Sequence, residues 1–189
     1  MSTTTATAAP PATTWTIDGS HSHVAFAVKH LMITTVRGQF GDVTGTVGLD
    51  PAEPSKSTVD VRIGTASIDT REPQRDAHLR SADFFDAEQF PTMTFRSRRV
   101  TGDLDSAFTL TGDLTIRGVS HEIVLDGRAE GATADPWGGQ RAGFTATGTI
   151  SRSAFGLTWN QALETGGVVV SDEVKLTLDV QLVQQTGNV

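Results

Sequence analysis

An all-β, antiparallel fold is what this sequence predicts, and three observations point there. Apolar residues return at every second position in one run after another, the spacing of a strand with one buried face rather than of a helix. Nineteen glycines and frequent threonine favour strands and turns over a helical bundle. No long amphipathic helix is present to carry the crossovers that parallel strands require.

A chain of 189 residues, 37% hydrophobic and 20% charged, is long enough for one substantial core and short for two ordinary domains. Its opening, MSTTTATAAPPATT, has no charged side chain and no long apolar run, so it does not resemble a secretory signal. No segment elsewhere approaches the roughly 20 apolar residues of a transmembrane helix. The expectation is a disordered tail over residues 1–14, one β domain over 15–185, a frayed end over 186–189, a cytoplasmic location and no stable membrane insertion.

After the tail, WTIDGSHSHVAFAVKH supplies a short strand and then a second one, in which Val24, Phe26 and Val28 share a face. VRGQFGDVTGTVGLD carries Val36, Phe40, Val43 and Val47 among glycines, an imperfect alternation that fits a long bent or bulged strand or a hairpin. DPAEPSKS is a loop, since Pro51 and Pro54 limit ladder pairing. STVDVRIGTASI sets Val59, Val61 and Ile63 against Asp60, Arg62 and Gly64, and PTMTFRSRRV puts Met93 and Phe95 on one face. SAFTLTGDLTIRG aligns Phe108, Leu110, Leu114 and Ile116, and HEIVLDGRAEG follows across a tight turn. ADPWGGQ is a turn, RAGFTATGTISRSAFG is extended, and DEVKLTLDVQLVQ closes with Val174, Leu176, Leu178, Val180 and Leu182 on one side. About eight strands result, and alternation alone leaves both a sandwich and a barrel open.

Charge narrows the function. With 22 acidic and 15 basic residues the formal net charge is −7. Arg96, Arg98 and Arg99 are the nearest approach to a basic patch and read as a solvated strand end or local ion pairs, so no nucleic-acid partner is expected. Absence of cysteine removes disulfides, a thiol nucleophile and cysteine-ligated metals. No GxSxG elbow and no GxxxxGK[ST] phosphate loop occurs. His21 and His23, two apart, would point the same way if both lay in one strand, but no third ligand is fixed by spacing, and no metal or catalytic residue is assigned.

The stretch RDAHLRSADFF, residues 75–85, stands apart. It reads as one or two short helical turns: Leu79 and Ala82 share a face, Asp76 and Arg80 form an i,i+4 pair, and Phe84 and Phe85 anchor an apolar side. Arg75 and His78 either face a ligand or hold this clasp in place. The aromatics Phe26, Phe40, Phe95, Phe108, Phe144, Phe155 and Trp159 fill a core in a sandwich, and the same parity lines a cavity in a barrel. Phe155, Gly156 and Trp159 suit the rim of such a cavity.

Taken in order, WTIDGSHSHVAFAVKH, STVDVRIGTASIDT, RDAHLRSADFFDAEQFPTMTF, TLTGDLTIRGVSHEIVL, WGGQRAGFTATGTISRSAFG and SDEVKLTLDV resemble the YceI-like family, polyisoprenoid-binding proteins with a lipocalin-like fold. The likeness spans residues 15–183. It implies an extended antiparallel eight-stranded lipocalin-like barrel with a short helical insertion, enclosing a tunnel for an isoprenoid lipid or isoprenoid quinone. It further implies Phe26, His30, Phe40, Phe144, Phe155 and Trp159 around the ligand or its mouth, with Arg75, Asp76 and His78 inside the central motif. The expected activity is reversible binding, storage or transport of a hydrophobic small molecule, without turnover and without a required cofactor. Two other classes stay open: a metal-assisted hydrolase or isomerase using His21, His23 and His78, and a structural or stress-related interaction protein with a filled barrel. A homo-oligomer is neither required nor excluded.

Overall fold

Eleven antiparallel strands and one short helix make up the computed structural model, which describes residues 12–162, 164 and 166–185. The strands are β1 (Thr13–Ile17), β2 (His23–His30), β3 (Thr34–Phe40), β4 (Val43–Leu49), β5 (Thr58–Gly64), β6 (Ile68–Asp69), β7 (Thr92–Gly102), β8 (Ala107–Ile116), β9 (Val119–Ala134), β10 (Gln140–Ser151) and β11 (Val170–Gln184). The helix is α1 (Pro73–Arg80). Most of the expected tail and the whole expected frayed end, residues 1–11 and 186–189, lie outside the described residues. β1 begins at Thr13, two positions before the predicted start of the domain.

Eight strands close into a barrel in the order β1-β4-β5-β7-β8-β9-β10-β11, and pairing of β11 back to β1 seals the ring. The sandwich is thereby excluded, and the lipocalin-like barrel is the fold. The three further strands arise where long strands kink and change partners. Leu182 to Gln184 of β11 pair with β1, whereas Val170 to Asp179 pair with β2. β3 pairs with β2 and β6, while β4, after a bend at Gly41 and Asp42, pairs with β1 and β5. The segment GQFGDV is therefore a bend and not a hairpin, because its two halves never pair with each other.

A side-chain clamp fixes the first kink. The Asp18 carboxylate accepts hydrogen bonds from the Ser20 amide (3.1 Å) and hydroxyl (2.6 Å), His21 Nδ1 (2.9 Å), Arg141 Nη1 (2.8 Å) and Gln181 Nε2 (3.2 Å). These bonds, that from Ser20 foremost, hold its carboxyl well below the usual carboxylate range. The clamp places His21 in a single 3-10 turn, Gly19–His21, ahead of β2. His21 and His23 thus do not share a strand.

Elsewhere the period-two faces turn inward as expected. Met93 and Phe95 on β7, Leu110, Leu114 and Ile116 on β8, and Ile123 and Leu125 on β9 are all buried in one cluster. Full burial of such side chains contributes about 1.5–3 kcal/mol each. Arg96 and Arg98 point outward, paired with Asp60 at 3.0 Å and Asp113 at 2.8 Å.

Candidate functional site

Inside the barrel runs a cavity of about 260 Å³. Its wall draws on β1, β2, β3, β4, β5 and all of β7 to β11, and it is aliphatic and aromatic almost throughout. Among the described residues, Ser57, Thr145 and Arg152 are the polar members of the wall, and their polar groups are engaged elsewhere: the Ser57 hydroxyl accepts from the Asp50 amide (2.9 Å), the Thr145 hydroxyl donates to Glu130 (2.9 Å), and the Arg152 guanidinium donates to main-chain carbonyls.

The bore stays open because several rings lie flat against glycine on the neighbouring strand. Phe26 sits opposite Gly38, and a Cβ on Gly38 would stand 2.4 Å from the tip of its ring. Phe108 sits opposite Gly127, where a Cβ would meet two ring atoms at 2.3 Å. Any side chain at either glycine would push its ring off the wall and into the lumen. Phe144 lies edge-on to Phe108 with centroids 5.8 Å apart, and Phe40 stands 5.8 Å from Phe26.

One end is covered by a lid built from residues 70–91. α1 starts at Pro73, with Glu72 accepting from the Gln74 amide (3.1 Å). Its polar side chains staple the chain before it. Arg75 donates from Nε to the Thr70 hydroxyl (2.7 Å) and from Nη2 to the Thr70 carbonyl (2.8 Å), and buried Asp76 accepts from the Thr70 amide (2.9 Å) and hydroxyl. Arg80 reaches the Ala66 and Ile68 carbonyls, each at 2.8 Å, so the expected Asp76–Arg80 pair does not form. Asp76 finds its backbone partner at Thr70, and Arg80 finds its own in the segment just ahead of the lid, partners that the helical spacing does not reveal. The helix ends at Arg80, Leu79, Phe84 and Phe85 turn into the cavity, and Arg117 of the β8–β9 turn holds the Phe84 carbonyl at 2.8 Å.

Each residue expected around a ligand can now be placed. Phe26, Phe40 and Phe144 line the cavity. His30 ends β2, half-buried, opposite Val170 and outside the lining. Arg75 belongs to the lid's polar staple. His78 bonds Asp83 through Nε2 (2.9 Å) and meets Phe84 and Trp159 edge-on at 5.1 and 4.9 Å, behind the lid and not in the lumen. Phe155 is buried in a 3-10 turn, Ser153–Phe155, edge-on to His121 at 5.1 Å. Trp159 packs on Phe84 at 5.3 Å and supports the lid from outside. His21, His23 and His78 are not brought together, and no group of three histidine, aspartate or glutamate side chains among the described residues could hold a metal ion.

Arg152 is the residue that sequence reading missed. It is 6% exposed yet lines the cavity, and its guanidinium donates to the carbonyls of Leu157, Trp159 (2.9 Å), Ser171 (2.9 Å) and Val170 (3.3 Å). Burial pulls its pKa below the ordinary value, against the opposing pull of the Asp172 carboxylate. Its signal in the sequence is that Arg152 continues the Phe144, Ala146, Ile150 parity one residue past the end of β10, and a charge at an inward position calls for partners.

Comparison with known proteins agrees with this architecture. The YceI-like domain model matches residues 15–182. Protein YceI of Salmonella newport (strain SL254) is 39% identical over 168 residues, and that of Escherichia coli O157:H7 is 40% identical; each alignment covers 89% of this chain and 84% of the relative. The crystal structure of the Campylobacter jejuni YCEI protein superposes with a TM-score of 0.71 at 35% identity, over 84% of this chain and 90% of that one. Burkholderia cenocepacia BcnA, at 24% identity, shares the fold with a TM-score of 0.76 over 87% and 98% of the two chains. A polyisoprenoid binding domain from Saccharophagus degradans, at 14% identity, does so with a TM-score of 0.64 over 90% and 98%. Motif order, a domain match over residues 15–182 and a shared barrel converge: this protein belongs to the YceI-like family.

Proposed function

We propose that the barrel binds one slender apolar molecule, an isoprenoid lipid or the tail of an isoprenoid quinone, and sequesters it reversibly without chemical change. The observation that carries the reading is the cavity itself: a bore along the barrel, apolar in nearly every lining residue and covered at one end by Phe84 and Phe85. A barrel filled by its own side chains would have no such space. At about 0.8 kcal/mol per buried CH₂, a five-carbon isoprene unit contributes about 4 kcal/mol before ordering costs are subtracted. The Saccharophagus degradans domain that shares this fold is a polyisoprenoid binding domain, which supports the same ligand class.

The lining also constrains the head group. Arg152 is its one charged side chain, and four main-chain carbonyls already occupy that guanidinium. An ionised diphosphate inside the bore would go largely uncompensated, whereas a neutral quinone or alcohol head group costs far less to desolvate. Phe26, Phe40 and Phe144 are the contacts of this reading, with Arg75 and His78 holding the lid.

Native mass spectrometry of gently purified protein, followed by organic extraction, tests it. The expected result is an isoprenoid-sized adduct that extraction removes, and whose occupancy falls at least about tenfold in Phe144→Glu, with the β-sheet circular dichroism retained. Protein that is reproducibly empty, and that takes up neither farnesol nor ubiquinone from solution, would refute it.

A further inference from the structure

The β2–β3 turn is unlike the other turns of the barrel. It carries Leu31, Met32 and Ile33, of which Met32 is 57% and Ile33 78% exposed. Leu31 (φ 51°) and Met32 (φ 61°) both occupy the left-handed region, where a tight hairpin ordinarily takes asparagine and glycine. The turn is closed by the Ile33 amide on the His30 carbonyl (3.2 Å), and the Leu31 amide bonds the Val169 carbonyl (2.8 Å), which brings exposed Val168 beside the tip. Large apolar side chains are thus held out to solvent on a backbone that disfavours them, a pattern that marks functional segments.

The charge around the tip has the opposite sign to the molecule. Lys175, Ala27 and Arg37 form one cross-strand row on the outer face, and Lys29 lies two positions nearer the tip. All three cations are exposed, and none holds a carboxylate within ion-pair distance among the described residues, unlike Arg96, Arg98 and Arg141. Asp172 and Glu173 are the acidic side chains on this stretch of β11, Asp172 being engaged by the Ser151 hydroxyl (2.6 Å) and the Ser153 amide (2.9 Å), on a chain whose formal net charge is −7. Arg37 stands four residues from Ile33, about 13 Å at about 3.3 Å per residue. An apolar tip sunk about 5–10 Å into the acyl boundary would bring that row to the headgroup layer. Val28, Val170 and Val174 line the cavity at the base of the same hairpin, so the bore reaches this end.

We propose that the β2–β3 tip docks the lid end of the barrel on an anionic lipid bilayer, with Met32 and Ile33 entering the acyl boundary and Lys29, Arg37 and Lys175 against the headgroups. The surface goes beyond cargo binding and does not depend on which molecule fills the bore.

Flotation with vesicles of phosphatidylcholine alone, or of phosphatidylcholine with phosphatidylglycerol, tests the proposal on the full-length protein. The wild-type protein should float with the anionic vesicles and be released by salt. Met32→Ser combined with Ile33→Ser should lower partitioning at least about tenfold, and Lys29→Gln or Lys175→Gln by about fivefold each. Unchanged melting and unchanged farnesol uptake in solution show that the tip variant is folded and its bore intact, separating a failure of docking from a failure of ligand binding. Wild-type protein that stays with neither vesicle, or a tip variant that floats as well as wild type, overturns the proposal. So does a concentration-dependent dimer dissolved by the same two substitutions, which would assign the tip to a second copy.

Discussion

Gly127→Ala adds one methyl group where the Phe108 ring lies against the wall. Its Cβ would lie 2.3 Å from both Cε2 and Cζ of Phe108, against the about 3.5 Å at which two carbons rest in contact. The ring must therefore retreat by roughly 1.2 Å, and with the β8–β9 ladder behind it the free direction is the lumen, toward Phe144. Overpacking of this kind costs about 1–3 kcal/mol. For a chain of this length that is a fall in melting temperature of about 2–12 °C. The displaced ring also narrows the bore, so farnesol uptake should weaken in the same variant. Adding Phe108→Leu removes the flat ring and should restore both melting and uptake relative to Gly127→Ala alone. Thermal unfolding by circular dichroism and a fluorescence competition titration read the two effects. A Gly127→Ala protein that melts within 1 °C of wild type and binds equally well would refute the idea that flattened rings keep the bore open.

Two further outcomes follow from the polar clamps. Arg152→Met leaves the carbonyls of Leu157, Trp159, Val170 and Ser171 without their common donor, and it should cost about 2–4 kcal/mol and accelerate amide exchange at Val169 and Val170, residues next to the released carbonyls; unchanged exchange there would count against a pinning role. Asp18→Asn removes the charge that Ser20, His21 and Arg141 stabilise and should lower stability by about 1–3 kcal/mol at pH 7 in urea titrations. Because the folded carboxyl lies below its unfolded value of about 3.9, the wild-type advantage is complete above that pH and shrinks as pH falls toward the folded-state value. A gap between the two proteins that stays constant from neutral to strongly acidic pH would contradict this account.

Strand positions were readable because alternation is local. Val59, Val61 and Ile63 in β5 and Leu110, Leu114 and Ile116 in β8 declare their inner face without help from any neighbour. Closure of the barrel is not local: it rests on β11 serving β1 with one end and β2 with the other, a division set by the Asp18 kink between two short strands. The same limit hid the Phe26–Gly38 and Phe108–Gly127 pairs, which exist only once register is known. Phe155 and Trp159 suit a cavity rim in the sequence because the intervening Gly156 permits close backbone approach. A 3-10 turn directly after β10 breaks the parity, burying one ring beneath His121 and leaning the other on the lid. His78 kept its two readings in the sequence because its distinguishing partners, Asp83 and Trp159, come from a loop and from a segment 81 positions further along the chain.

The two ends of the bore are bordered by different kinds of interaction, and under the binding reading this decides where a ligand would pass. At the far end, Trp15, Val47, Ala142 and Leu182 form their own buried cluster across the β1–β4, β1–β11 and β10–β11 pairings, so opening there means breaking ladders that seal the ring. At the lid end, residues 70–91, braced internally by Arg75 and Asp76 on Thr70, are fastened by Arg80 on the Ala66 and Ile68 carbonyls, Arg117 on the Phe84 carbonyl, Thr65 on the Phe90 and Pro91 carbonyls, and the burial of Phe84. Each hydrogen bond contributes only about 0.5–3 kcal/mol net, the charged donors at the upper end, and none of them belongs to the ladders that seal the ring. Under the binding reading, exchange therefore takes the lid end. The exposed β2–β3 tip projects from that same end, and its apolar side chains stand beside the one closure that yields without unfolding.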